Sequence, residues 1–338
     1  MDIKEKIELI KRNCQEIVTE KELEDLLKKK KKPSVYLGTA ITGTPHIGYF
    51  VWVSKMADFL KAGFKVKVLL SDITGALDNT PWEVLDKRYK YYENVIPLMF
   101  ESVGVDTNDL EFVKSSDINL SKEYYLDLLK LSTITSLHDA NKAASEVVKL
   151  GDNPKLSGMI YPLIQTLDEQ YLDVDVQYAG VDQRKIMMFA RENLPKIGYE
   201  KRVEVMTPMI PGLIGKKMSA SDAKSKVDLL DDEKTVIEKV KGAEMVTGDP
   251  DNGVMAFLRY VIMVRKEDAK EKFVIKRPEK YGGDLEYSSY DEVEKDFAAS
   301  KIHPLDLKNA VADEINDLLK PFRKNSKKLT ELAKKAYE

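Results

Sequence analysis

SVYLGTAITGTPHIGYF, residues 34–50, has the pattern of a short buried strand, a tight loop and the start of a helix. Gly38 and Gly43 permit backbone torsions and close approaches that a side chain would block. Pro45 is predicted in the first turn of the helix, where its missing N–H group costs nothing. Because a helix N-terminus presents free N–H groups, this junction indicates a site for a nucleotide phosphate. An ordinary strand-to-helix turn is the alternative that these local features leave open.

A second strand follows over residues 65–70, KVKVLL. Strand, helix and strand within about 40 residues form a βαβ unit, whose two strands should be parallel. Ligands of such sheets bind at the carboxyl ends of the strands. We therefore expect Asp72 and Thr74, which follow the second strand, to face the same pocket as Gly38 and His46.

Hydrophobic periodicity divides the rest of the chain into further elements. Residues 3–18 are predicted as one amphipathic helix, and Thr19 with Glu22 forms a capping box that begins a second helix. Further helices are predicted over 82–103, 121–131, 138–150, 158–172, 289–299, 304–320 and 326–337, and further strands over 111–113, 174–178, 203–206 and 272–276.

The order of these elements predicts an α/β protein with a Rossmann-like parallel sheet. A helical insertion at about residues 105–157 interrupts the sheet, and its surplus of apolar side chains suggests a subunit interface. A mostly α-helical C-terminal domain follows. The predicted boundaries are 1–230 and 231–338.

Composition narrows the class of protein. The chain has 338 residues, a net charge of −3 and one cysteine, Cys14, so neither an intrachain disulfide nor a cysteine zinc cluster can form. No apolar run reaches the ~20 residues of a membrane span, and the charged N-terminus does not resemble a signal peptide. We expect a cytoplasmic protein without a membrane partner. Five consecutive lysines at 28–32 and a basic tail could contact RNA or simply form solvated helix faces.

Two later stretches carry candidate ligand-binding groups. On the helix predicted over 158–172, Tyr161, Gln165 and Asp168 share one face, which suits a small ligand with a polar tip and an ammonium group. A polar outer face is the alternative, and Pro162 is expected near the helix start. After the strand over 174–178, Asp182 stands at a strand–helix junction, where a carboxylate commonly binds a nucleotide ribose.

Two signatures resemble those of class I aminoacyl-tRNA synthetases. PHIGY at 45–49 is similar to the HIGH signature and KMSAS at 217–221 to KMSKS. The segments YLGTA at 36–40, IYP at 160–162, GVDQRK at 180–185, KRPEKYGG at 276–283 and HPLDLKN at 303–309 resemble tyrosyl-tRNA synthetases of the archaeal and eukaryotic cytosolic type. The likeness covers essentially the whole chain.

The resemblance implies a two-step reaction and assigns residues to it. Tyrosine and ATP form tyrosyl-adenylate, and the tyrosyl group then passes to the 3′ end of tRNA(Tyr). In the family, the positions matching Tyr36 and Asp168 bind the phenolic hydroxyl, and those matching Tyr161, Gln165 and Gln183 bind the amino-acid end. The positions for ATP correspond to Gly38, His46, Gly48, Asp182, Lys217, Met218, Ser219 and Ser221, of which His46 and Lys217, with Thr42, are expected to serve catalysis.

The resemblance also implies partners. Arg184 matches a residue that reads the acceptor stem, and Tyr281, His303 and Asp306 match positions around the anticodon; for His303, helix capping is the alternative. A homodimer is expected, with Mg²⁺ accompanying ATP, no tightly bound cofactor and no protein metal site. A non-catalytic RNA-binding or signalling relative and a tryptophanyl-tRNA synthetase are the competing hypotheses.

Three positions depart from the family pattern. Tyr49 stands where the HIGH signature has a second histidine, and Ala220 replaces the second lysine of KMSKS. Thr74 stands where close relatives often have histidine beside the tyrosine pocket. Lys217 is therefore expected to serve its loop alone or with Lys216.

Overall fold

A computed structural model describes residues 1–148, 153–215 and 226–338. Its six-stranded sheet has the order β1-β6-β5-β2-β3-β4 and is parallel except for β1, which confirms the Rossmann-like prediction. The strands are β1 Glu16–Val18, β2 Ser34–Ala40, β3 Lys65–Ser71, β4 Leu110–Lys114, β5 Val176–Gly180 and β6 Val203–Thr207.

Helices cover both faces of this sheet and form the insertion. They are α1 Ile3–Lys11, α2 Glu20–Lys29, α3 Tyr49–Lys61, α4 Asp72–Leu77, α5 Trp82–Val103, α6 Ser115–Asn119, α7 Lys122–Thr133, α8 Leu137–Ala144, α9 Leu156–Tyr171 and α10 Arg184–Asn193. The Thr19 capping box of α2 is confirmed. Strand β4 pairs in parallel with β3, so the sheet continues to Lys114 and the helical insertion begins only with α6.

The chain after residue 226 is mostly helical. Its helices are α11 Glu233–Lys241, α12 Gly253–Phe257, α13 Val264–Ala269, α14 Tyr290–Ala298, α15 Pro304–Leu318, α16 Lys320–Lys324 and α17 Ser326–Tyr337, and a π-helical turn joins α12 to α13. Strand β7, Phe273–Ile275, was predicted, whereas its antiparallel partner β8, Leu285–Tyr287, was not.

The order of strands reverses between β2 and β5. From β2 the chain proceeds outward to β3 and β4, whereas from β5 it proceeds in the opposite direction to β6. The helices that follow β2 and β5 therefore diverge, and a crevice opens at the carboxyl ends of these two strands.

The first predicted helix is wrong beyond Lys11. Asn13 adopts a left-handed conformation with φ 58°, which ends the helical path. The next residues, Glu16 to Val18, pair antiparallel with β6 at the sheet edge. Edge pairing satisfies their backbone groups, and β-branched Ile17 and Val18 favour it over continued helix.

Pro45 lies outside the helix in which it was predicted. Helix α3 begins at Tyr49, after Gly48. The preceding residues instead pair with a later segment: Ile47 N–H donates to Val227 O at 3.1 Å, and His46 forms a bridge with Asp228. This long-range pairing makes His46 a β-bridge residue, and Ile47 and Gly48 form the turn that leads into α3.

Pro162 is in the second turn of α9 rather than near its start, because the helix already begins at Leu156. A proline inside a helix removes one backbone hydrogen bond. Here Leu163, Ile164 and Leu167 are buried, and packing of this face outweighs the lost bond.

Candidate active site

A cavity of about 400 Å³ occupies the crevice at the carboxyl ends of β2 and β5. Strand β2, the start of α3, one face of α9 and the turn after β5 enclose it. Most of the tyrosine and adenosine positions assigned from the sequence line this cavity, together with Tyr49 and Thr74: Tyr36, Gly38, Gly48, Tyr161, Gln165, Asp168, Asp182 and Gln183. The polar face predicted for α9 therefore points into a cavity and not into solvent.

Asp168 forms the polar end of the cavity. Its Oδ1 accepts hydrogen bonds from Asn119 Nδ2 at 2.8 Å and from the Tyr124 hydroxyl at 2.9 Å. Burial raises the pKa of Asp168 to about 6, although these two hydrogen bonds favour the ionised form. At neutral pH the group is mainly a carboxylate, which can accept a further hydrogen bond from a ligand.

Tyr36 reaches the same end of the cavity from β2. Its hydroxyl accepts a hydrogen bond from Gln177 Nε2 at 3.0 Å and donates to Gln165 O at 3.4 Å. Burial, with the neighbouring charge of Asp168, holds the pKa of Tyr36 well above its usual range. The hydroxyl therefore keeps its proton and can act as a donor.

Two hydrogen-bond acceptors without partners lie on the sides of the cavity formed by α9 and by the turn after β5. Among the described residues, Gln165 Oε1 and Gln183 Oε1 are buried without a hydrogen-bond partner. Two amide oxygens in one cavity can accept hydrogen bonds from an ammonium group. Nearby, a Cβ at Gly180 would lie 2.7 Å from Asp182 Oδ1, so this carboxylate needs a glycine beside it.

His46 and Thr42 lie in the loop beside the cavity and are not part of its lining. His46 is buried, and its Nδ1 accepts a hydrogen bond from Gly48 N at 3.1 Å, which places the ring proton on Nε2. Burial, with the positive charge of Lys226, lowers the pKa of His46 to about 4. The imidazole is thus neutral at pH 7 and can serve as a hydrogen-bond donor rather than as a cation.

Asp72 does not face the cavity, contrary to the prediction. Its side chain turns into the protein, where Oδ1 accepts hydrogen bonds from the Ser115 hydroxyl at 2.6 Å and from Ser116 N at 2.9 Å. Lys114 Nζ is 3.6 Å from its other oxygen. These contacts fasten the start of the insertion to the end of β3.

Three tyrosines support the loop that carries Thr42 and His46. Hydroxyl groups of Tyr92 and Tyr337 each donate to Gly43 O at 2.7 Å. The hydroxyl of Tyr49 lies 3.0 Å from that of Tyr92. The tyrosine that replaces the second signature histidine therefore joins a hydroxyl network beneath the loop.

Three residues of this site were not predicted from the sequence. Gln177 lines the cavity, and Asn119 and Tyr124 hold Asp168. Gln177 could have been found as a polar side chain in a buried strand. No local signal marked Asn119 or Tyr124, because they come from the insertion and approach Asp168 only in the folded chain.

The predicted KMSKS-like residues Lys217, Met218, Ser219 and Ser221 lie outside the described residues. The flanking residues form hydrogen bonds with the rest of the protein. Gly215 N donates to Glu244 Oε2 at 3.0 Å, and Val227 O accepts from Ile47 N. Lys226 is buried, with its Nζ 3.5 Å from Asp228 Oδ2.

The residues assigned to tRNA are on the surface. Arg184 donates to Glu16 from Nε at 2.6 Å and from Nη2 at 2.8 Å. Tyr281 is 64% exposed. His303 Nδ1 accepts a hydrogen bond from Leu305 N at 3.2 Å, so the capping alternative is present, and Asp306 is in the first turn of the same helix, α15.

Within the lysine run 28–32, three side chains form surface ion pairs. Their partners are Glu24 for Lys28, Asp175 for Lys30 and Asp109 for Lys32. This pairing supports the solvated-face interpretation of the run.

Within residues 1–148, 153–215 and 226–338, none of the helices combines the length and the apolar character that a membrane span requires. Nor do three His, Cys, Asp or Glu side chains there come together as ligands for a metal ion.

Comparison with known proteins agrees with this fold. A family model described as tRNA synthetases class I (W and Y) matches residues 28–320, and the chain belongs to this family. Its similarity is to the tyrosine branch. A cytoplasmic tyrosine–tRNA ligase of Danio rerio is 50% identical over 98% of this chain, and a tyrosine–tRNA ligase of Haloarcula marismortui is 44% identical over 100% of it.

Coverage of these relatives differs. The chain spans 63% of the Danio rerio protein and 98% of the Haloarcula marismortui protein. A crystal structure of tyrosyl-tRNA synthetase from Archaeoglobus fulgidus, complexed with L-tyrosine, superposes with a TM-score of 0.89 at 40% identity, covering 96% of this chain and 99% of that one. The resemblance stated from the sequence motifs is confirmed.

Proposed function

We propose that this chain is a tyrosine–tRNA ligase, which forms tyrosyl-adenylate from L-tyrosine and ATP and then transfers the tyrosyl group to tRNA(Tyr). One observation carries the proposal. The cavity ends in a donor, the Tyr36 hydroxyl, which accepts from Gln177 and can turn its proton from the 3.4 Å contact with Gln165 O to a ligand. Beside it is an acceptor, Asp168, whose Oδ1 is already engaged by Asn119 and Tyr124. A phenolic hydroxyl can satisfy both at once.

Tyrosine enters with its phenol toward Asp168 and its ammonium group toward Gln165 and Gln183. Tyr161, on the same face of α9, borders the amino-acid end. Phenylalanine would leave the buried groups of Tyr36 and Asp168 without partners, and a site of this kind rejects such an analogue by ~10⁴–10⁵.

ATP occupies the part of the cavity next to β2 and α3. Gly38 and Gly48 allow adenosine to approach the backbone, and Asp182 binds the ribose. A carboxylate oxygen of tyrosine attacks the α-phosphorus, and the bond from that phosphorus to the bridging oxygen breaks to release pyrophosphate. The protein contributes positioning and stabilisation of phosphate charge, and no side chain need act as a nucleophile or base.

Thr42 and neutral His46 donate hydrogen bonds to the phosphates in this proposal. Lys217, with Met218, Ser219 and Ser221, contributes to ATP binding on the strength of the sequence signature alone. Mg²⁺ enters with ATP, since this ion is commonly bound through substrate phosphates.

The macromolecular partners belong to the same proposal. Arg184 would exchange its ion pair with Glu16 for the acceptor end of tRNA(Tyr), and Tyr281, His303 and Asp306 would meet the anticodon. The archaeal and eukaryotic relatives that carry the name tyrosine–tRNA ligase support this assignment, and those named cytoplasmic support a cytoplasmic location.

A homodimer through the insertion is also proposed. Large apolar side chains are exposed on and around α7 and α8, among them Leu120, Tyr125, Leu126, Leu129 and Leu137. A patch of this kind marks an association surface. Sedimentation equilibrium should give a dimer for the wild-type chain and a monomer for Leu129→Lys; a wild-type monomer would contradict the dimer.

The test of the activity is pyrophosphate exchange with purified protein, ATP, Mg²⁺ and each amino acid in turn. We expect exchange with tyrosine only, followed by charging of tRNA(Tyr). A chain that binds tRNA without forming adenylate would be a non-catalytic relative, and preferential exchange with tryptophan would identify the sister enzyme.

A further inference from the structure

A row of polar side chains lies behind the phenol end of the cavity. Tyr36 on β2 is in register with Gln177 on β5, and Gln177 is in register with Glu204 on β6. Register partners on adjacent parallel strands stand on the same face, about 4.8 Å apart. Tyr36, Gln177 and Glu204 therefore form one line across the sheet, and Glu169 of α9 lies close enough to raise the pKa of Tyr36 and of Glu204.

The two glutamates are unusual for a protein interior. Glu169 and Glu204 are both fully buried, and neither carboxyl group has a hydrogen-bond partner among the described residues. Burial raises the pKa of both above the usual range, and repulsion from Glu169 adds to the shift of Glu204. A buried pair of this kind retains a proton at neutral pH, so one carboxyl group is a hydrogen-bond donor.

The charged groups around this pair form no hydrogen bond with it in the described part of the chain, where Arg202 Nε is also buried without a partner. Arg191 directs its guanidinium to Val18 O, to Arg202 O and to Glu22. Arg202 directs both Nη atoms away, to Glu200 O and to Gln170. These two arginines lower the pKa values of the pair, whereas Asp168 raises that of Glu169 and Glu22 raises that of Glu204.

Gln177 connects the pair to the site. Its Nε2 donates to the Tyr36 hydroxyl at 3.0 Å, while its Oε1 is buried without a partner among the described residues. A buried amide oxygen needs a donor. Glu204 is in register with Gln177 on the adjacent strand, and its carboxyl group can supply this donor when it carries the proton of the pair.

We propose that Gln177 is a positioning residue for substrate recognition, held by a protonated carboxyl group of the Glu169–Glu204 pair. The amide oxygen of Gln177 then accepts a hydrogen bond from this carboxyl group. The NH₂ group of Gln177 therefore faces Tyr36 and donates to its hydroxyl oxygen. Tyr36 then directs its own proton to the phenolic oxygen of the bound amino acid, which in turn donates to Asp168. This role rests on the proposed function, and it explains why the Tyr36 hydroxyl donates its proton toward the substrate.

The test compares Gln177→Met with the wild-type chain and with Gln15→Met, an exposed control. Pyrophosphate exchange gives KM for tyrosine and for ATP separately. Loss of one hydrogen bond should raise the tyrosine KM roughly 3- to 10-fold, with the ATP KM unchanged. An unchanged tyrosine KM in folded Gln177→Met would overturn the inference.

Glu204 supplies a second test that does not depend on the first variant folding. Glu204→Gln keeps a donor at this position, whereas Glu204→Met has a similar size and none. We expect the tyrosine KM of Glu204→Gln to stay within about twofold of wild type and that of Glu204→Met to rise as in Gln177→Met. Equal values for the two variants would contradict the inference. Absence of tyrosine-dependent exchange in the wild-type chain would instead defeat the proposed function and this inference with it.

Discussion

At the residue scale, the proposed function makes selection of the amino acid depend on Asp168. Its Oδ1 is engaged by Asn119 and Tyr124, so a ligand phenol is left with the other oxygen. Asp168→Asn keeps the size of the side chain but adds a donor where an acceptor is required. We expect the tyrosine KM to rise at least 10-fold and the ATP KM to change less than twofold in pyrophosphate exchange. Equal losses for both substrates would mean that Asp168 only supports the fold.

The acidity of Asp168 predicts a pH dependence. With a pKa of about 6, its carboxylate is lost as the pH falls through 6, and a protonated carboxyl group accepts the phenol proton poorly. The tyrosine KM should therefore rise between pH 7 and pH 5. His46, with a pKa of about 4, stays neutral over most of this range. The measurement is the ratio of tyrosine KM to ATP KM across this interval, and a flat ratio would contradict the assignment.

At the scale of elements, the connection after β6 is packed tightly against α12. A Cβ built on Gly253 would lie 2.0 Å from Gly212 O, so the two backbones meet where only glycine fits. Nearby, Glu244 N donates to Leu213 O at 2.8 Å. These contacts determine where the chain stands just before residue 216.

Gly253→Ala should force this connection away from α12. We expect a loss of about 1–3 kcal/mol in the free energy of unfolding, as for other overpacked positions, measured by urea denaturation. Gly242→Ala is the matched control, since its Cβ would meet Glu238 O at 3.4 Å and Lys239 O at 3.6 Å, both outside the range of a clash. Similar stability of the two variants would show that the backbone adjusts without cost.

At the scale of the whole molecule, the C-terminal helices support the loop that carries Thr42 and His46. Helix α17 packs along α5, with Tyr337 edge-on to Tyr91 at 5.8 Å between ring centroids. Phe322 of α16 likewise meets Phe50 of α3 at 6.3 Å. The boundary predicted near residue 230 thus separates segments that share one hydrophobic core. Because α17 reaches back to Gly43, the C-terminal part of the chain contributes directly to the site.

Tyr337→Phe tests this contribution. The variant keeps the ring packing but loses the hydroxyl that donates to Gly43 O at 2.7 Å. The loop carrying Thr42 and His46 should become less ordered, which raises the ATP KM about 2- to 10-fold and leaves the tyrosine KM unchanged. Tyr287→Phe, which removes a hydroxyl bonded to Asp296 in the same half of the chain, is the control. If both variants behave alike, α17 has no specific effect on the site.

The sequence by itself determined the parallel strands, most helices and many of the residues around the cavity. Local patterns of neighbouring residues predict strand β2, helix α3 and the polar face of α9, because such patterns are governed by backbone geometry and side-chain periodicity. The KMSKS-like loop is known from the sequence alone.

Only the tertiary structure decided the remaining features. Four features depend on partners distant in sequence. They are the antiparallel edge strand β1, the β-bridge at His46, the inward turn of Asp72, and the contacts of Asn119 and Tyr124 with Asp168. Long-range pairing and burial override local propensity because they satisfy backbone and polar groups that would otherwise be left unpaired. The neutral state of His46 and the raised pKa of Asp168 have the same origin, since desolvation exists only once the chain has folded.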